Sequence, residues 1–327
     1  MFNKIYEFFK KNRKEIIIFL IFVLLFTIPL PYYIDSPGGT ISLKKRFEIE
    51  NSKEINGDIS LVYVAERDGT IPNILLSFIL KDWDLVKKED VIPDNETVEE
   101  NAKSGKISLE QSYNNALVYA FKKADKNIEI TDTKVYVTYV SKESKTDLKV
   151  GDQILSINGE KVVDRKSIAN IIDKIDEKLE IKVLNDNKEY NRYADIILVE
   201  GLKKIGIVVD VIYDYKLDQN INFKTEKKES GSSGGFANAL YIYASIIDED
   251  IIKGRKIIAT GTINDEGIVG PIGGVKYKLK TASKDKADVF FISKSNCEEA
   301  LEIKNENNYN LNIVCIDTFD EAINYLK

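Results

Sequence analysis

The chain has 327 residues, enough for about two domains of ordinary size, and its 43% hydrophobic and 31% charged residues are the composition of a folded protein. Its formal net charge of −6 is spread along the sequence without a basic tract, which gives no support to nucleic-acid binding. The sequence contains no histidine, and this excludes Ser-His-Asp triads, Cys-His dyads and histidine-containing zinc sites. A hydrolase built from this chain therefore needs another base.

The N-terminal run at 16–34 carries no charge and is just long enough to cross a bilayer. Basic residues precede this run and Asp35 follows it, so the positive-inside rule predicts a cytoplasmic N-terminus. We expect 1–14 to form a cytoplasmic tail and 15–34 a single transmembrane helix, with the catalytic domain extracellular and the protein in the cell membrane. A cleaved signal peptide is the alternative, but the run lacks an Ala-x-Ala cleavage site.

The next region, 35–111, is predicted to be an extracellular, membrane-proximal α/β region. Strand-like alternation of apolar and polar residues is followed by two helical patterns, in which apolar residues recur at three- and four-residue steps. An acidic stretch between the two helical patterns indicates a solvated loop or a frayed helix end. We expect strands at 41–49 and 59–64, helices at 70–80 and 109–121, and the acidic stretch at 94–101.

A third region, 112–199, changes to short β-branched runs that favour strands. Its segment L-K-V-G-D-Q-I-L-S-I-N-G at 148–159 resembles the L-x-x-G-D-x-I-L-x-I-N-G signature of PDZ domains. The resemblance implies a groove that accepts an extended peptide as an added strand. A PDZ-like fold that serves only as a spacer or dimer contact is the alternative. The peptide-binding strand is expected to contain Val135, Tyr136 and Val137.

The C-terminal region, 200–327, alternates strand and helix patterns and predicts an α/β domain large enough for catalysis. Within it the small-residue turn G-S-S-G-G at 231–235 runs into a helical pattern that begins at Phe236. The unpaired N–H groups and positive end of such a helix favour an oxyanion beside a serine. The turn also fits the G-x-S-x-G elbow of α/β-hydrolases, but that site needs a histidine. By composition alone, a flexible linker is the alternative.

A lysine that is neutral near pH 7 can activate a serine in place of histidine. In the segment G-P-I-G-G-V-K-Y-K-L at 270–279, two glycines precede a helical pattern whose first turn contains Lys276. The helix dipole opposes an ammonium charge there and would help to keep the amine neutral if the side chain is also buried. We expect Lys278 and Lys280 on a solvated face. For each of these lysines an ordinary surface position is the alternative.

Together, the serine and lysine motifs resemble the proteolytic domain of Lon-type proteases, whose motifs are G-P-S-A-G and P-I-G-G-[LIV]-K-x-K. The resemblance covers about 200–327 and implies Ser233 as the nucleophile and Lys276 as the base. Thr260, in a strand similar to the family's T-G-x-I, would support the lysine, and the backbone N–H groups of Ser233 and Gly234 would bind the oxyanion. Ser232 stands where the family has proline and Gly234 where it has alanine, which leaves Ser232 as a rival nucleophile.

The order of anchor, PDZ-like and Lon-type regions resembles the membrane-anchored PDZ–Lon proteases of Gram-positive bacteria over nearly the whole chain. The resemblance implies an α+β multidomain serine endopeptidase that cleaves extended extracellular or membrane-associated peptides. The enzyme that the resemblance implies needs neither metal nor cofactor, and the sequence has no G-x-x-x-x-G-K-[ST] nucleotide-binding loop. The alternative is a catalytically inactive, membrane-tethered peptide-binding scaffold. Cys297 and Cys315 lack zinc or redox spacing and are expected as buried free thiols, with a disulfide as the alternative.

Overall fold

The computed structural model describes residues 2–93, 95–176 and 178–327. Their contacts divide the chain into two compact units. The first unit is Met1–Gly38 with Val64–Ile92, and the second is Gly39–Tyr63 with Pro93–Lys327.

The first unit is small and mixes helices with three strands that lie side by side in the order β3-β1-β4. Strands β1 and β4 pair from Tyr32 opposite Lys87 to Asp35 opposite Asp84. The elements that lie in this unit wholly or in part are α1 (Phe2–Lys11), α2 (Arg13–Thr27), β1 (Tyr32–Ser42), β3 (Asp58–Asp68), α3 (Ile71–Ser77), β4 (Asp84–Lys87) and α4 (Lys88–Val91).

The predicted single helix over 15–34 is wrong. Helix α2 ends at Thr27, and Ile28 already has extended backbone with φ −73° and ψ 122°. The reason is Pro29, because a proline excludes the residue before it from helical conformation and cannot continue the hydrogen-bond ladder itself. Strand β1 then begins at Tyr32, inside the predicted span. Among the described residues, no helix is both long and apolar enough to cross a membrane.

The second unit contains the remaining elements, arranged around two larger sheets. They are β2 (Phe47–Ile49), α5 (Val98–Lys123), β5 (Ile128–Val140), β6 (Gln153–Ile157), β7 (Glu160–Lys161), α6 (Arg165–Asp173), β8 (Leu179–Asn185), β9 (Lys188–Ala194), β10 (Ile197–Val199), β11 (Leu202–Lys204), β12 (Ile207–Leu217), β13 (Ile221–Phe223), α7 (Gly235–Ile246), β14 (Lys256–Ala259), β15 (Thr262–Ile263), β16 (Val269–Gly270), α8 (Val275–Lys284), β17 (Val289–Ser293), α9 (Cys297–Glu306), β18 (Ile313–Ile316) and α10 (Phe319–Leu326).

A parallel run of four strands, in the order β18-β17-β14-β3, forms the centre of the C-terminal part of this unit. Every residue of β17 is buried, as expected for a parallel strand with helices on both faces. Ile257 and Ala259 of β14 pack with α5 and α7 in one hydrophobic cluster, whereas Ile258 packs with α8 in another. Helices α7 and α8 therefore lie on opposite faces of the same sheet.

The other sheet is antiparallel, in the order β12-β5-β6-β8-β9, and its core includes the buried face of α6. The region predicted at 112–199 begins and ends within structure that continues across both positions. Its first boundary lies inside α5, which is continuous for 26 residues. Its second separates β12 from β5, although these two strands pair along the whole length of β12. Helix α5 and strand β12 therefore connect the predicted region to the segments before and after it.

Helix α5 begins earlier than the apolar pattern predicts, because a capping box starts it. The Glu100 N–H donates to Thr97 Oγ1 at 3.1 Å, and the Thr97 N–H donates to Glu100 Oε2 at 2.9 Å. The acidic stretch predicted as a loop or frayed end thus contains the first ordered turn of the helix. Asp94, in the same predicted stretch, lies outside the described residues.

The two cysteines form a disulfide, and the expectation of free thiols is wrong. Cys297 at the start of α9 is bonded to Cys315 in β18, with a Cα–Cα distance of 5.6 Å. Strand β18 lies beside β17, whose end leads directly towards Cys297, so the sheet itself brings the two residues together. Spacing along the chain gave no sign of this pairing.

Candidate active site

Ser233 lies in a tight turn directly before α7, with its side chain half-buried. Gly231 opens the turn at φ +84°, a left-handed conformation that favours glycine. Gly234 caps the helix, and Gly235 is its first residue. A Cβ at Gly235 would come within 2.5 Å of Ser112 Oγ, so only glycine lets the turn pack this closely on α5. The glycines therefore serve a packed turn.

Helix α5 holds this turn by two hydrogen bonds. The Gly231 N–H donates to the Gly105 carbonyl at 2.8 Å. Ser112 Oγ donates to the Ser232 carbonyl, also at 2.8 Å. These contacts are made by a helix far away in sequence, and they show that the segment is part of the folded unit. The flexible-linker alternative is wrong.

The chain just before the turn is fixed by two cations. The guanidinium of Arg46, which is only 6% exposed, forms a salt bridge with Glu229. Lys106 Nζ, from α5, donates to the backbone carbonyls of Lys227 and Glu229. Removing either partner of a buried ion pair leaves the other charge desolvated and unpaired. Arg46 and Glu229 therefore act together to fix where the turn begins.

The end of β14 fixes the backbone of Ser233 from the other side. The Ser233 carbonyl accepts the Gly261 N–H at 2.9 Å and the Thr260 hydroxyl at 3.2 Å. The Phe236 N–H in turn donates to the Gly261 carbonyl at 3.0 Å. The turn and the strand end thus form one hydrogen-bonded unit at the carboxyl edge of the parallel strands.

Lys278 meets the same unit from α8. Its side chain is buried, with the residue 2% exposed, and its Nζ donates to Thr260 Oγ1 at 3.2 Å. Burial lowers the pKa of Lys278 from 10.5 to about 8, since the charged ammonium loses its hydration. About a tenth of the amine is then neutral at pH 7. One hydroxyl, that of Thr260, connects this lysine to the backbone of Ser233.

Lys276 lies on the opposite side of the same helix and is exposed. Its Nζ stands 4.9 Å from the ring centroid of Tyr277. The burial that a neutral lysine requires is therefore absent at Lys276 and present at Lys278. The prediction that Lys278 is solvated is wrong, because residues two apart on a helix point about 200° away from each other.

A signal in the sequence could have identified the buried lysine. The apolar residues of α8 recur at the spacing of one helix face, and Lys278 occupies a position within that spacing. A lysine inside an apolar stripe either buries its aliphatic stem while its ammonium group reaches water, or buries the amine as well. The buried residues that share this face are Val275, Lys278, Leu279 and Ala282.

The backbone N–H groups of Ser233 and Gly234 lie at the N-terminal end of α7. Within residues 2–93, 95–176 and 178–327, neither N–H donates a hydrogen bond to the protein. Unpaired N–H groups at a helix N-terminus can bind a developing negative charge. Their role as oxyanion donors stays a prediction, with a position that suits it.

The predicted peptide edge at Val135, Tyr136 and Val137 is wrong. These residues belong to β5, an interior strand that pairs with β12 on one side and with β6 on the other. No peptide can add to a strand whose two edges are both paired. The partner strand β12 is at the edge of this sheet instead, and there the Arg165 guanidinium donates to the Val209 carbonyl at 2.7 and 2.9 Å.

The chain is similar to known peptidases over its C-terminal part. Residues 224–326 match the family model described as the Lon protease (S16) C-terminal proteolytic domain. A curated relative, the Lon protease of Campylobacter jejuni, is 32% identical over 137 residues. That alignment covers 40% of this chain and only 17% of the relative's length. The matched segment contains Ser233, Thr260 and Lys278, and its family indicates a peptidase.

Two solved structures resemble a smaller part of the chain. The PDZ domain of the SdrC-like protein from Listeria monocytogenes is 20% identical, covers 25% of this chain and 92% of that structure, and has a TM-score of 0.23. The second domain of another Listeria protein is 22% identical, covers 25% of this chain and 87% of that structure, and has a TM-score of 0.21. Both scores are too low to support a conclusion about this chain.

Proposed function

We propose that the chain is a serine endopeptidase whose nucleophile is Ser233 and whose general base is Lys278. The observation that carries this proposal is the buried Lys278 amine, with a pKa lowered to about 8, joined through Thr260 to the backbone of Ser233. A lysine in this state accepts a proton near neutral pH. Lys276, in contrast, is exposed. The match of 224–326 to a peptidase family supports the same reaction class.

In the proposed reaction, Ser233 Oγ attacks the scissile carbonyl while neutral Lys278 takes the hydroxyl proton. The N–H groups of Ser233 and Gly234 stabilise the tetrahedral oxyanion. The Lys278 ammonium then gives its proton to the leaving amine, and the peptide bond breaks. A water molecule, deprotonated by the same amine, releases the acyl group and restores the serine. Thr260 Oγ1, which accepts from Lys278, keeps the amine directed towards the turn.

We also propose that the substrates are extended peptides, which need no unfolding before cleavage, and that these 327 residues cleave them without a nucleotide. We place capture of a peptide as an added strand at β12, one of the two outer strands of the antiparallel sheet, along the part before Tyr213, whose N–H and carbonyl are both bonded to Asn114. An incoming strand would compete there with Arg165 for the Val209 carbonyl. The contact makes Arg165 the residue to change in a test of peptide capture.

A membrane-associated location outside the cytoplasm is proposed on two observations. The Cys297–Cys315 disulfide is typical of oxidising compartments. No residue of α2 is buried, although its mid-section is wholly apolar, and the Thr27 hydroxyl donates to the Val23 carbonyl of its own helix at 2.8 Å. An exposed apolar surface whose polar groups are satisfied internally suits contact with lipid.

Labelling with a fluorophosphonate, which reacts with activated serines, tests the dyad. Wild type and Lys276→Ala should be labelled, whereas Ser233→Ala and Lys278→Ala should not. Peptide hydrolysis by Lys278→Ala should fall by about 10²- to 10⁴-fold, the usual contribution of a general base. Thr260→Val should give a smaller loss, because it removes only the acceptor that orients the amine.

The same experiment separates the alternatives. Equal labelling of all variants, or labelling of none, would favour an inactive peptide-binding scaffold. If Lys276→Ala loses labelling and Lys278→Ala keeps it, the general base is Lys276. If only Ser232→Ala loses labelling, the nucleophile is Ser232. Hydrolysis by wild type should rise with pH through about 8 as Lys278 loses its proton.

A further inference from the structure

The loop at 271–274, between β16 and α8, is held by a side chain that lies outside both motifs. The Ile272 N–H donates to Asn296 Oδ1 at 2.8 Å, and Asn296 Nδ2 donates to the Ile272 carbonyl at 3.0 Å. Asn296 thus satisfies both backbone groups of one loop residue, as a neighbouring strand would. The side chain is buried, since the residue is 8% exposed. A buried amide with both ends paired is a rigid contact.

This contact is made where the loop is otherwise least constrained. Gly273 and Gly274 separate Ile272 from α8, and Gly274 has φ +67°. A Cβ at Gly273 would meet no atom within 4 Å, so no side chain packs against the loop there. Glycines give the backbone more freedom than any other residue. Ile272 also packs against the hydrophobic cluster that contains Val275 and Leu279 of α8. The Asn296 contact therefore helps to set the position from which α8 starts, and with it the position of Lys278.

A disulfide fixes the chain immediately beside Asn296. Asn296 ends a short 3₁₀ turn, and the next residue is Cys297, which is bonded to Cys315. Cys315 lies in β18 opposite Ile292 of β17, so the bond ties the turn to the central sheet. The strands that precede this turn and the loop at 271–274 are also joined, because Ser293 Oγ at the end of β17 donates to the carbonyl of Val269 in β16 at 3.1 Å.

We propose that Asn296 is a positioning residue for Lys278, and that the Cys297–Cys315 disulfide holds Asn296 in register, so that the oxidised protein is the more active form. This inference rests on the proposed function, because its kinetic consequence requires Lys278 to be the base. In the reduced protein the Lys294–Asn296 turn loses its covalent bond to β18 and keeps its connection to β17 and the Lys294–Asp317 salt bridge. The loop at 271–274, which Asn296 holds, then becomes more mobile, and the Lys278 amine loses its alignment with Thr260 and Ser233.

The first test compares Asn296→Ala with Asn114→Ala. Asn114 is a matched control because it is also buried and makes the same pair of bonds, to the Tyr213 carbonyl at 2.8 Å and from the Tyr213 N–H at 2.9 Å, in the antiparallel sheet. Both variants should lose similar stability. Only Asn296→Ala should lower kcat, by about 10- to 100-fold as for a misplaced catalytic group, with KM little changed. Its pH midpoint should also rise, because a displaced Lys278 gains water.

The second test addresses the disulfide. The double variant Cys297→Ala/Cys315→Ala should have the lowered kcat and raised pH midpoint of Asn296→Ala. Adding Asn296→Ala to it should cause little further loss, because both changes disrupt one contact. Dithiothreitol should bring wild type to the same state and leave the double variant unaffected. A double variant with wild-type kcat and pH midpoint would overturn the role of the disulfide.

A measurement without turnover separates this inference from the proposed function. NMR titration of the protein with ¹³C-labelled lysine reports the deprotonation of Lys278 directly, with Lys278→Met used to assign the signal. The midpoint should be higher in Asn296→Ala than in wild type and unchanged in Asn114→Ala. Equal midpoints in all three proteins would refute the positioning role. Absence of fluorophosphonate labelling of wild type, with the midpoint still raised in Asn296→Ala, would instead refute only the peptidase.

Discussion

Replacing Lys278 by methionine is expected to stabilise the protein while it abolishes hydrolysis. Met fills a similar volume without a charge, so the change removes the burial of an amine and keeps the packing of α8. The side chain is buried, and its pKa falls from 10.5 to about 8 for that reason alone. At about 1.4 kcal/mol for each pKa unit, folding with a protonated Lys278 costs about 3 kcal/mol.

The net gain is smaller, because methionine cannot donate to Thr260 Oγ1 as Lys278 does. A hydrogen bond of this kind contributes about 1 kcal/mol, so Lys278→Met should be about 2 kcal/mol more stable than wild type at pH 7. The folded-state pKa is below the unfolded value, so the wild type gains stability as the pH rises from about 8 towards 10.5. The advantage of the variant should therefore shrink by about 2 kcal/mol between pH 7 and pH 9.5.

Urea denaturation of wild type and Lys278→Met at both pH values measures these differences. Lys276→Met is the matched control, since Lys276 is in the same helix but exposed. Its stability should differ from wild type by no more than about 0.5 kcal/mol at either pH. Destabilisation of Lys278→Met at pH 7, or a difference from wild type that does not change with pH, would refute a buried Lys278 whose pKa is lowered.

Two further predictions concern the proposed peptide edge and the location of the protein. Arg165→Ala frees the Val209 carbonyl of β12. In protein that also carries Ser233→Ala, this change should tighten the binding of a fluorescent extended peptide several-fold, as measured by fluorescence anisotropy. Unchanged affinity would contradict capture at β12. When protease is added to intact cells, the chain should be degraded while a cytoplasmic marker protein survives. Degradation only after lysis would contradict the external location. The purified chain should also float with liposomes in a density gradient.

The sequence determined the parts of the site whose cause is local. The small-residue turn before an apolar helical pattern placed Ser233 at the start of α7, and the structure has that helix from Gly235 to Ile246. The helix after the two glycines begins at Val275, also as the pattern indicates. Helix starts and tight turns are set by residues within a few positions of one another, so a single sequence contains their signal.

The sequence around α8 indicates only in part which of two lysines, Lys276 or Lys278, is the buried one. The spacing of Val275, Leu279 and Ala282 marks one face of α8, and Lys278 lies on it. The dipole argument for Lys276 considered the end of the helix and not its face. Which face is buried is decided by β14 and β17, against which α8 packs in the folded chain. Desolvation, which changes the lysine pKa most, follows from that packing.

Pairings between distant segments were decided by the tertiary structure alone. Strand β3, from the N-terminal third of the chain, lies in parallel beside β14, and β12 closes the antiparallel sheet against β5. Cys297 reaches Cys315 because β17 and β18 are neighbours, and Asn296, in the turn after β17, reaches Ile272 between β16 and α8. Hydrophobic periodicity specifies which residues are buried but not which partner buries them, since many pairings satisfy the same pattern. The sequence thus determined the serine turn and the helix behind it, while the packed sheet decided which lysine is buried beside it and what holds that lysine in place.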